Sequence, residues 1–134
     1  MKVYRLFFIP LLFHFILSSC TKEDLSETHP AVTLKTGTEY TLNNASVPVG
    51  GDLVFGIMAD ADGASITNLT IKRNTGTNLI TEIDKGMFET SGLLDTTVSF
   101  TKSPAKQEIW TFSIMNDHRD TASASIVIKL GEGS

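Results

Sequence analysis

Residues 109–129 read Ile109-Trp-Thr-Phe-Ser-Ile-Met-Asn-Asp-His-Arg-Asp-Thr-Ala-Ser-Ala-Ser-Ile-Val-Ile-Lys129. Trp110, Phe112 and Ile114 take every second position before the polar stretch Asn116-Asp-His-Arg-Asp120. Ala122, Ala124, Ile126, Ile128 and Leu130 do so after it. A period of two sends successive side chains to opposite faces of an extended chain, so each run buries one face and leaves the other polar. No run of ten or more residues keeps the spacing of an amphipathic helix. Two alternating runs around a turn-forming stretch predict a β-hairpin.

Working outward, the same period recurs. Leu53, Phe55, Ile57 and Ala59 share one face, as do Leu69 with Ile71 and Val98 with Phe100. Thr, Val and Ile enrichment fits a pleated, half-buried surface. Turn residues fall at Gly50-Gly51, Asp62-Gly63, 74–78, Lys85-Gly86, 102–106 and 116–120. Early strands are predicted at 32–34 and 40–42, with a short piece at 46–49. Seven or eight strands in about 100 residues predict an all-β sandwich. Trp110 is expected to fill its core, while Val54, Met58 and Met115 are apolar exceptions on otherwise polar outer positions.

The 109–129 hairpin, with Val47-Pro-Val49-Gly50, Leu53-Val-Phe-Gly-Ile57 and Leu69-Thr-Ile-Lys-Arg73, resembles the immunoglobulin-like domains of short Bacteroidota lipoproteins. The resemblance covers most of residues 31–130 and implies an immunoglobulin-like β-sandwich. It departs from the antibody pattern: Leu69 and Ile71 stand where a third-strand tryptophan is expected, and there is no cysteine pair.

The 134 residues fit one domain, and a net charge of −4 lacks the basic stripe that a nucleic-acid partner requires. One cysteine excludes an internal disulfide. Residues 1–19 have the layout of a cleaved export signal: Lys2 and Arg5, then an apolar run over 6–17 too short to span a bilayer, then Ser18 and Ser19. Leu17-Ser-Ser-Cys20 resembles the lipobox of bacterial lipoproteins. That resemblance implies cleavage before Cys20, a thioether-linked lipid on its sulfur and an acylated new N-terminus. Multiple acyl chains anchor stably at about 0.8 kcal/mol per buried CH₂, so the membrane is an expected partner. Lys22-Glu-Asp24 is similar to the export tag that sends Bacteroidota lipoproteins to the outer face of the outer membrane. The expected location is therefore the outer membrane, facing the cell exterior, with a periplasm-facing position as the alternative. Residues 20–30, with Leu25 as the one large apolar side chain, form the lipidated tether, and 131–134 a flexible tail.

Nucleophilic catalysis requires a base beside a hydroxyl or thiol. His14 leaves with the signal, His29 lies in the tether, and His118 sits in a polar turn. The chain is accordingly expected not to be an enzyme, a carboxylate-based hydrolase being the weakest alternative. A sandwich brings the loop after its second strand to the same end as the final hairpin loop. Asp60 and Asp62 would there meet Asn116, Asp117 and Asp120, an oxygen-rich set suited to calcium as a cofactor. The competing reading is that these side chains simply make tight turns. The first strand starts at that end, so those loops face the tether. Asp95-Thr96-Thr97 and Asp120-Thr121-Ala122 are similar to a Bacteroidota O-glycosylation signal, which marks Thr96 and Thr121. The expected role is a lipid-anchored, non-catalytic binding or interaction module with a protein or polysaccharide partner. The alternative is a structural spacer or an accessory subunit of an envelope complex.

Overall fold

A computed structural model describes residues 29–132, the side chains at 86–91 excepted. The strands are β1 (Ala31–Leu34), β2 (Ser46–Val47), β3 (Asp52–Asn74), β4 (Leu79–Thr101), β5 (Gln107–Asn116) and β6 (Thr121–Leu130). The described residues contain no helix.

β3 and β4, at 23 residues each, determine the architecture. The first arm of β3 pairs with β4 from Asp52↔Thr101 to Asp60↔Leu93 and carries β1 on its other side, from Ala31↔Asp60 to Leu34↔Ile57. The second arm pairs with the start of β4 from Asn68↔Gly86 to Asn74↔Leu79. Its other side takes β5, from Ile66↔Asn116 to Asn74↔Ile109. β6 continues this layer antiparallel to β5, and β2 ends it parallel to β6. Between the arms the register slips at Asp60/Ser65. Asp62 (φ 54°) and Gly63 (φ 80°) there take left-handed backbone that bends the ribbon. β1 packs against β5 and β6, which are not its ladder neighbours, so the sheet closes over itself into two layers.

The protein is thus an all-β, immunoglobulin-like sandwich. Its six strands make eight arms, because β3 and β4 each serve both layers. Two expectations change in detail. The turn signals at Asp62-Gly63 and Lys85-Gly86 mark places inside continuous strands, and β4 begins at Leu79, an arm the alternation does not single out. Residues 40–42 form no strand: Thr41 N–H reaches only one carbonyl, that of Val54, 2.7 Å away.

Between the layers lie Leu53, Phe55, Ile57, Leu69, Ile71, Trp110, Phe112, Ile114, Ile126 and Ile128, the alternating set read from the sequence; Leu130 is exposed. The rings of Phe55, Phe100, Trp110 and Phe112 cluster with centroids 4.7–6.3 Å apart, in the tilted and edge-on geometries that aromatic quadrupoles favour. On the outer face of the smaller layer, Gly56 permits a close approach. A Cβ there would lie 2.8 Å from Lys35 Cβ and 2.7 Å from Tyr40 Cε1. Lys35 pairs with Asp95, and that partner raises its pKa above the usual lysine value.

Candidate functional site

The acidic residues gather at the bent end of the sandwich. Asp62 accepts from the backbone N–H of His29 at 3.1 Å, and Asp60 accepts from the N–H of Asp62 at 2.8 Å. In the final hairpin, Asp117 N–H donates to the Ser65 carbonyl at 2.9 Å, while its own carboxylate accepts from Ser65 N–H at 3.4 Å. Asn116 Oδ1 accepts from Asp120 N–H at 2.8 Å. The loops and the incoming chain therefore share one end, as the sequence reading required. One side-chain oxygen each of Asp60, Asp62, Asn116 and Asp117 thus accepts from a backbone N–H, and Asp120 Oδ2 lies 3.5 Å from Asn116 Nδ2. Among the described residues no group of three or more His, Cys, Asp or Glu side chains is placed to hold a metal ion.

The other singled-out residues are scattered. Cys20 and the signal segment lie outside the described residues. Thr121 opens β6 and is exposed, whereas Thr96 is half-buried in β4. His118 is exposed at the hairpin tip, its Nε2 3.8 Å from Asp117.

Sequence reasoning missed a buried charged cluster at the opposite end. Glu108, on β5, is 0% exposed. Its Oε1 accepts from Ser103 N–H at 2.8 Å, and its Oε2 accepts from the indole N–H of Trp110 at 2.9 Å. Lys102, also buried, donates from Nζ to the carbonyls of Ser103 (2.7 Å) and Ala105 (2.6 Å) and lies 3.5 Å from Glu108 Oε1. Arg73 stacks its guanidinium 5.4 Å from the Trp110 ring centre, with Nη1 3.8 Å from Glu108 and Nη2 2.6 Å from Glu82. The Arg73–Glu82 contact is ionic only, since its angles do not make a hydrogen bond.

A signal for this cluster exists in the sequence. Leu69-x-Ile71-x-Arg73, Val98-x-Phe100-x-Lys102 and Glu108-x-Trp110-x-Phe112 are all single-parity rows. Each inward apolar row runs on, in phase, into a charge, and the topology brings the three charged ends together. Two positive and two negative groups balance there, which meets the requirement that buried charges be paired. The cluster fastens the loop between β4 and β5 to the core. That loop faces the Asn74–Asn78 turn across two open grooves of about 480 and 420 Å³, lined by Thr75, Thr77, Ala105 and their neighbours.

Burial pushes the Glu108 carboxyl upward. The hydrogen bonds from Ser103 and Trp110 and the charge of Lys102 outweigh it, so its pKa lies below the usual glutamate value. A carboxyl depressed on folding contributes stability that is complete above its ordinary value and disappears as pH falls through its lowered one. Acid titration of the unfolding free energy is therefore expected to show a loss below the ordinary glutamate range. Glu108→Gln should flatten that part of the curve, and an unchanged acid limb in this variant would separate Glu108 from the acid sensitivity.

Known proteins with this arrangement place it in a structural class. The superoxide reductase (neelaredoxin) from Ignicoccus hospitalis superposes with a TM-score of 0.56, at 10% identity over 78% of this chain and 82% of that one. An engineered protein superposes with a TM-score of 0.51, also at 10% identity, over 78% of this chain and 20% of its own. No family model and no curated protein matches the sequence. At such identity the likenesses show the fold alone. They nevertheless correct the expectation that the chain is not an enzyme: the same fold is an enzyme's in the Ignicoccus protein, so all-β architecture does not exclude catalysis.

Proposed function

We propose that this is a lipid-anchored envelope protein whose sandwich serves as a binding or interaction module displayed on the cell exterior. The observation that carries the proposal is Leu17-Ser-Ser-Cys20 after a charged start and a short apolar run, the layout of a bacterial lipoprotein signal. Lys22-Glu-Asp24 supports the outward orientation by its likeness to the Bacteroidota export tag. The fold is compatible with such a role. His29 and β1 join the domain at the acidic, bent end, while the grooves beside the Asn74–Asn78 turn lie at the far end of the strands. An anchored domain of this kind presents those grooves, its sheet faces and its edges to partners.

Cys20→Ala is expected to move most of the protein from the membrane to the soluble fraction of fractionated cells. Retention in the membrane would overturn lipid anchoring. Protease added to intact cells should remove the domain while sparing a periplasm-facing lipoprotein, and protection of both would overturn surface display.

A further inference from the structure

The second arm of β4 carries a surface that the proposed function leaves unassigned. From Leu93 to Thr101 this strand pairs with β3 on one side, and no strand among the described residues pairs with its other side. Its ladder to β3 runs without a register shift from Asp60↔Leu93 to Asp52↔Thr101. Natural sheet edges are blunted by bulges, prolines, glycines or charges. Residues 94–101, Leu-Asp-Thr-Thr-Val-Ser-Phe-Thr, contain no proline or glycine and one charge, Asp95, which is already paired with Lys35. Thr96, Val98 and Phe100 point toward the core yet are only half-buried, because no strand among the described residues flanks them at this edge.

We propose that this edge pairs with the same edge of a second copy of the chain, antiparallel about a twofold axis at Val98, so that the sheet continues from one molecule into the other. The pairing of the edge sequence with itself points to a second copy as the occupant. About that axis Asp95 faces Thr101 and never its own counterpart, so no like charges oppose. Thr96 faces Phe100, a β-branched and aromatic pair of the kind that stabilises antiparallel ladders. Thr97 faces Ser99 on the outer side. A patch complementary to itself is what a closed twofold dimer requires, and the added strand covers the half-buried row. The pairing is independent of how the chain is anchored.

The test uses the full chain purified from expressing cells, with mass measured by sedimentation across a concentration series. The wild type is expected to dimerise. Thr97→Glu with Ser99→Glu opposes two pairs of like charges and should weaken the dimer by roughly a hundredfold. Thr97→Glu with Ser99→Lys opposes unlike charges at the same exposed positions and should restore it. Circular dichroism of both variants should match the wild type, which separates lost pairing from lost folding. A monomeric wild type would overturn the proposal, as would a dimer indifferent to both variants or one weakened equally by both.

Discussion

Glu108→Ala is expected to destabilise the domain by about 3–5 kcal/mol, the usual cost of removing one partner from a buried ion pair. The loss exceeds that of a surface salt bridge because every group around the carboxylate depends on it. Ser103 N–H and the Trp110 indole N–H lose their acceptor, Lys102 retains two carbonyls but no counter-charge, and Arg73 faces Glu82 alone. For a domain of this size the change corresponds to a drop in Tm of roughly 15–30 °C. Glu108→Gln keeps the shape and one acceptor and should cost less. Urea unfolding of the three proteins measures the differences, and a loss below about 1 kcal/mol for the alanine variant would show that the cluster does not hold the loop.

Trp110→Ala is expected to cost as much or more. Removing a fully buried large aromatic costs about 3–5 kcal/mol through lost transfer energy and the cavity left behind. Trp110 is 0% exposed, its ring lies 4.7 Å from that of Phe100 and 5.2 Å from that of Phe55, and its N–H satisfies Glu108. Trp110→Phe keeps most of the packing and loses the hydrogen bond, so the difference between the two variants separates cavity from bond. Because Trp110 and Glu108 share a contact, the double alanine variant should lose less than the two single losses added together. Strict additivity would mean that the two side chains act apart.

The fold was legible because alternation is a strong signal wherever one sheet face is buried. Trp110, Phe112, Ile114, Ile126 and Ile128 all point where the period of two sends them. The joins were less legible. Asp62-Gly63 and Lys85-Gly86 carry the same residues as a hairpin turn, and only pairing partners distant in sequence reveal that the strand bends there and continues. Residues 40–42 alternate locally yet gain no ladder. The buried cluster was hidden for a different reason. Lys102 begins a stretch whose Ser, Pro and second Lys read as a solvated loop, and a charge ordinarily signals exposure. Its burial depends on Glu108 arriving from the next strand and Arg73 from the far end of β3, a convergence that belongs to topology and not to local composition. The acidic end shows the reverse: its residues were easily noticed, and four of them accept backbone N–H donors there.

β3 and β4 run unbroken from one layer into the other. The two layers therefore share the backbone of this one ribbon, and neither can leave the other without parting it. Tension applied where the chain joins first loads the four-residue strand β1 and passes through its ladder into a ribbon common to both sheets.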